Sequence, residues 1–117
     1  MSTYPTPATF ADAFAMRDGI VSSLYEVDPE ARASVIADMA SFSKFGPGTD
    51  KGTSTALHRF WLAVGEFFAL DAANPDAAPG SDAWKAMRHH ERCAGIALMS
   101  GDIRSVDDLL AGVFEVH

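Results

Sequence analysis

Cysteine is almost missing from this chain. Cys93 stands alone among 117 residues, so no disulfide can form within it, and a reducing compartment suits it. No apolar run approaches the roughly 20 residues that a membrane-crossing helix requires. Basic residues are scarce, with 9 Lys and Arg against 16 Asp and Glu for a net charge of −7. Nucleic-acid affinity comes largely from neutralised phosphates, so direct nucleic-acid binding is not expected. Period-two alternation is absent and β-branched residues never cluster, which removes the signals of a sheet. The chain shows no internal repeat, acidic tail or basic arm. The segment MSTYPTPATF has neither a basic cluster nor an apolar stretch, so no signal peptide is expected and a cytoplasmic location follows.

What is present is helical periodicity. A length of 117 residues suits a single domain, expected over residues 1–117 with 1–8 loosely ordered around Pro5 and Pro7. Thr9 can cap a first helix over 9–27, with Phe10, Ala13, Phe14, Ile20, Val21 and Leu24 on its inner side. Asp28-Pro29-Glu30 is a restart signal. It joins a capping carboxylate, a proline suited to the first helical position and an acid that complements the dipole. The second helix then spans 29–45, with Val35, Ile36, Met39 and Phe42 inward, and Gly46-Pro47-Gly48 ends it.

The next stretch, GPGTDKGTS, superficially resembles a phosphate-binding loop. That pattern needs a Gly-Lys-Ser/Thr triplet after a strand, whereas here Lys51 precedes Gly52 and no strand is expected. A helix connector is the better reading, with Thr53 or Ser54 capping a third helix over 54–72. Ten of the fourteen residues in LHRFWLAVGEFFAL, Leu57–Leu70, are apolar. A helix this apolar must be covered on most of its circumference. Phe60, Trp61, Leu62, Phe67 and Phe68 are expected to exceed what one small subunit can hide, which predicts a homodimer.

The Pro- and Ala-rich residues 71–82 allow a long crossover to a fourth helix over 82–99, capped by Ser81 or Asp82. A fifth helix, 106–116, follows from Val106, Leu109, Leu110, Val113 and Phe114, with Ser105 and Asp108 resembling a capping box. The expected fold is therefore an all-α, single-domain bundle of about five helices. The connection before the fourth helix is too long for a helix-turn-helix.

The fourth helix carries the most informative surface. Ala83, Met87, Ala94 and Leu98 share one side, with Trp84 at its edge. Lys85, Arg88, His89 and Arg92 stand opposite, a positive face on a negative protein. Asp38, Glu26 or Asp108 on neighbouring helices can neutralise it; alternatively it docks an acidic partner, with Arg88 and Arg92 gripping one anion together. Ile96 and Met99 extend that face with apolar surface, as interfaces do. The partner-binding candidates are thus Lys85, Arg88, His89, Arg92, Ile96 and Met99.

A metal site is not expected. His89 and Cys93 share a face at four-residue spacing, but His90 points about 100° away, and His58 or Glu66 would have to complete the ligand set. No cofactor is expected either. Glu66 interrupts the most apolar segment. It either occupies a wet strip with Arg59 or is a desolvated acid near His58 and His90. Cys93 lacks a catalytic context and reads as an inert thiol.

The leading expectation is a small acidic, non-enzymatic protein-interaction or regulatory module, such as a bacterial or phage regulator or inhibitor that occupies a basic surface of a larger complex. The alternative is a ligand-binding or enzymatic bundle. Its pocket would lie between the third and fourth helices, lined by His58, Trp61, Glu66, Phe68, Trp84, Met87 and His90.

Overall fold

A computed structural model describes residues 8–45 and 51–100, with side chains described for 8–40 and 56–100. The described residues form four helices and no strand. They are α1 (Phe10–Tyr25), α2 (Pro29–Phe45), α3 (Lys51–Ala73) and α4 (Asp82–Ser100). The expected fifth helix at 106–116, the expected Gly46-Pro47-Gly48 stop and all but residue 8 of the segment 1–8 expected to be loosely ordered lie outside the described residues.

Capping chemistry sets most of the boundaries. Thr9 is extended, and its hydroxyl accepts from the Asp12 N–H at 3.1 Å, opening α1. The Asp28 carboxylate accepts from the N–H groups of Glu30 and Ala31 at 3.2 and 3.4 Å, opening α2 behind Pro29. Ser81 caps α4 through Trp84 N–H at 3.2 Å. Just before it, Gly80 takes φ +89°, a conformation that favours glycine. The helix α3 begins at Lys51 rather than at 54, so Thr53 and Ser54 lie inside it instead of capping it. It ends where Asn74 returns both its backbone N–H (2.9 Å) and its side-chain amide (3.1 Å) to the Leu70 carbonyl. Pro75 forbids continuation.

The apolar helix α3 sits between α2 and α4, and α1 lies against α4. Residues 74–81 therefore return the chain directly onto α3; no long crossover separates the third and fourth helices. Phe60 and Trp61 are fully buried and meet edge to face with centroids 5.1 Å apart. Phe67 and Phe68, buried to 4% and 6% exposure, pair in the same way at 5.4 Å. Each such ring contributes about 1.5–3 kcal/mol by leaving water.

Here the structure corrects the sequence reading. The chain's own helices enclose these four rings, and only Leu62, 50% exposed, remains outside. Large side chains from three other elements meet around α3, including Met16, Ile20 and Leu24 of α1, Ile36 of α2, and Met87 and Leu98 of α4. The aromatic residues of α3 therefore do not call for a second subunit. On α1 the inner side is Ala13, Met16, Ile20, Val21 and Leu24, while Phe10 is 57% exposed and Phe14 half-buried. On α2, Ile36 and Ala40 are buried and Val35 and Met39 half-buried.

Candidate functional site

Four of the residues expected to meet a partner, Lys85, Arg88, His89 and Arg92, line one hollow of about 630 Å³ between α4 and α1. Phe14 and Arg17 of α1, with Trp84 and Glu91 of α4, complete its wall. The helical period explains the grouping: residues 85, 88, 89 and 92 project from one side of α4, and all four are exposed.

Behind this face lies the only charged side chain buried among the described residues, Glu91, at 9% exposure. Its position follows from spacing, four residues after Met87 and three before Ala94, squarely on the core side of α4. A carboxylate there costs several kcal/mol unless paired. It is paired twice. The Arg88 guanidinium approaches Oε1 at 2.5 Å from the neighbouring turn, and Arg17 of α1 approaches Oε2 at 3.9 Å. Arg17 is itself only 12% exposed and also pairs with Asp18. Both arginines lie over rings, Arg17 5.0 Å from the Phe14 centroid and Arg88 5.7 Å from that of Trp84. Gly95 lets α1 approach this closely, because a Cβ there would fall within the Phe14 ring.

The result is a seam in which one carboxylate joins two helices and holds one arginine at the hollow's rim. Arg88 is neutralised by its own helix rather than by Glu26 or Asp38, with which no ion pair forms among the described residues. Asp108 lies outside them. Arg88 thus gives one guanidinium nitrogen to Glu91 and stays exposed beside Lys85, His89 and Arg92. His89 Nε2 lies 3.5 Å from Cys93 Sγ and its ring is 5.4 Å from that of His90. Further along α4, Ile96 is 45% exposed and Met99 is half-buried against the core, so the apolar continuation of the face is Ile96 alone.

The residues expected to share a pocket between α3 and α4 do not share one. Trp61, Glu66 and Phe68 instead line a trough of about 400 Å³ on the opposite side of α3, against α2. Trp84 belongs to the cationic hollow and Met87 to the core. His58 is half-buried, its Nδ1 2.9 Å from the Ala40 carbonyl oxygen, and ties α3 to α2. His90 is half-buried on α4, and Glu66 is exposed, so the desolvated acid of this protein is Glu91. Among the described residues, no group of three or more His, Cys, Asp or Glu is placed to hold a metal ion. No helix there is long and apolar enough to cross a membrane.

Sequence reasoning passed over Arg17, placed Phe14 only on the inner side of the first helix, and weighed Glu91 only beside His89, His90 and Cys93 as a metal ligand. Their signal was available: a Glu within an apolar row on α4, and an Arg beside Met16 on the core side of α1, are charges that must find each other. Tyr25, Arg32 and Asp71 gave no such signal. The Arg32 guanidinium lies 4.5 Å from the Phe68 centroid and 5.6 Å from that of Tyr25, and it donates to the Leu24 carbonyl at 3.4 Å. Burial and the neighbouring Asp71 carboxylate, which also accepts the phenol's hydrogen bond, push the Tyr25 pKa up to about 12.

Set against protein-family models, curated proteins and solved structures, the chain matches none of them. The class that fold and surface define is an all-α helical bundle with a cationic hollow on an acidic body.

Proposed function

We propose that this chain is a small, non-enzymatic interaction module that docks an acidic segment of a protein partner into the hollow between α1 and α4. The observation that carries this reading is the convergence of Lys85, Arg88, His89 and Arg92 with Phe14 and Trp84 on one wall, in a chain of net charge −7. Cations interleaved with aromatic rings are what interface hot spots concentrate. From Lys85 to Arg92 the face runs about 10 Å along the helix axis, which suits several acids in series better than one small anion. Ile96 adds an apolar contact beyond the cations.

The acidic remainder of the surface gives the module direction. It repels nucleic acid and other acidic surfaces, and so restricts productive encounters to partners whose acids sit within a basic surround. A regulator or inhibitor seated on a basic surface of a larger complex has that form.

Titration of isotopically labelled protein with a deca-glutamate peptide at low salt tests the reading. Saturable amide shifts confined to residues 84–96 and to the Phe14–Arg17 turn are expected. Combined Lys85→Glu and Arg92→Glu substitutions should weaken binding at least about tenfold, since each lost charge pair at a rim is worth about 0.5–1 kcal/mol and a repulsion replaces it. Shifts spread over the whole surface, or unchanged binding by the double variant, would remove the proposal.

A further inference from the structure

The trough between α2 and α3 lies on the far side of α3 from α4 and is unlike the cationic hollow. Its rims are alanine and glycine: Ala33, Ala37 and Ala40 on α2, and Gly65, Ala69 and Ala72 on α3. Ile36, Trp61 and Phe68 form its floor, and Leu62, half exposed, forms its wall. At about 400 Å³ it falls within the range of small-molecule sites, roughly 300–1,000 Å³. Small residues alone would describe nothing more than a smooth surface. Two polar groups make it more specific.

The first is Trp61. Its side chain is fully buried and lines the trough, yet its indole N–H has no acceptor among the described residues. A buried donor left without a partner is costly, and such groups recur where a ligand or water completes the bond. The second is Arg32, half-buried in the trough wall. Its guanidinium rests on Phe68 and Tyr25 and gives one donor to the Leu24 carbonyl. Among the described residues no carboxylate forms an ion pair with it, and its fork carries more donors than that one bond uses. Glu66, the other charged group of the trough, is exposed at the rim.

We infer that the trough binds an amphiphile with an elongated apolar body and a carboxylate head, the head on Arg32 and the body along the alanine rims between α2 and α3. The charge of Arg32, anchored by stacking, selects an anionic head. The apolar lining selects the chain, and the buried Trp61 indole on the trough floor reports its entry. This site is separate from the α1/α4 face, and it stands or falls independently of the function proposed above.

The test uses the whole chain and four probes: dodecanoate, dodecanol, dodecylamine and butyrate, the two C12 ions below their micelle concentrations and dodecanol below its solubility limit. Two-dimensional amide spectra report position, and the two indole signals are assigned with Trp84→Phe. Dodecanoate is expected to shift the Trp61 indole and the amides of residues 29–40 and 61–72 saturably. Dodecanol and dodecylamine should bind about tenfold more weakly or less, and butyrate not at all, as a charge-assisted bond and a buried chain each contribute. Arg32→Gln should reduce dodecanoate affinity about tenfold while leaving dodecanol unchanged. Because Arg32 also packs on two rings, Leu62→Glu at the exposed wall gives a second reading: it should weaken dodecanoate more than dodecylamine. Equal binding of dodecylamine and dodecanoate, or no displacement of the Trp61 indole by dodecanoate, would each overturn the inference.

Discussion

The α1–α4 and α2–α3 interfaces are closed by different physics. Between α1 and α4 stands an ion triad, Arg17–Glu91–Arg88, with its carboxylate buried and Arg88 at the surface. Between α2 and α3 the contact is mostly apolar, with close approach at Gly65, the His58 ring on the Ala40 carbonyl and the Arg32 guanidinium over Phe68. A buried ion pair stabilises little compared with apolar packing but is strongly destabilising when broken, because the surviving charge stays desolvated. An apolar interface degrades gradually. The charged interface should therefore fail sharply on single substitutions, and the apolar one should absorb them.

The largest contrast is expected between two glutamates. Glu91→Gln leaves Arg17 with Asp18 alone and takes the carboxylate from Arg88, and should cost about 2 kcal/mol in denaturant unfolding. Glu66→Gln removes an exposed charge and should stay within about 0.5 kcal/mol. Equal effects at the two positions would erase the distinction between the interfaces.

A smaller contrast separates two helical glycines. Alanine is favoured over glycine in a helix by about 1 kcal/mol, so the cost of a clash must exceed that before it shows. At Gly95 the added carbon meets the Phe14 ring, which would have to leave its place between α1 and α4. Gly95→Ala should destabilise by about 1 kcal/mol net. At Gly65 the carbon meets only one Ile36 methyl, at 3.2 Å. Gly65→Ala should be neutral or slightly stabilising, read from the same unfolding midpoints.

The smallest effect concerns pH. The folded-state pKa of Tyr25 lies above its ordinary value of 10.0, at about 12. The native state therefore holds the phenol proton more tightly than the unfolded state. That contribution is complete below pH 10 and is lost as pH rises from about 10 toward 12. Absorbance titration should show one late-ionising tyrosine, and Tyr25→Phe should abolish that step and flatten the alkaline loss of stability. Ionisation of Tyr25 near pH 10 would contradict the contact with Asp71.

Much of the bundle was legible in the sequence. Thr9, Asp28-Pro29 and Ser81 announced three helix starts, because caps are local chemistry that needs no tertiary context. The cationic row on α4 was legible for a similar reason, since one helix fixes the relative directions of residues 85, 88, 89 and 92. What could not be read was pairing between helices. Glu66 interrupts an apolar segment and Glu91 an apolar row between Met87 and Ala94, and only the placement of α1 against α4 decides that Glu91 is the buried one. The expected pocket failed on the same point: Trp61 and Phe68 turn toward α2, while Trp84 turns toward α1. The demand for a second subunit failed because the apolar content of α3 was counted without the area that three other helices supply.

The central claim is that Glu91 joins α1 to α4 and so builds the wall on which Lys85, Arg88, His89 and Arg92 stand. A double-mutant cycle between Arg17→Met and Glu91→Met measures it most directly. If the two charges are partners across the interface, each single change removes one of the other's two ion-pair contacts, Glu91 keeping Arg88 and Arg17 keeping Asp18, and the two losses are less than additive, with a coupling of about 1 kcal/mol. Strictly additive losses would mean that the carboxylate does not bind the two helices together.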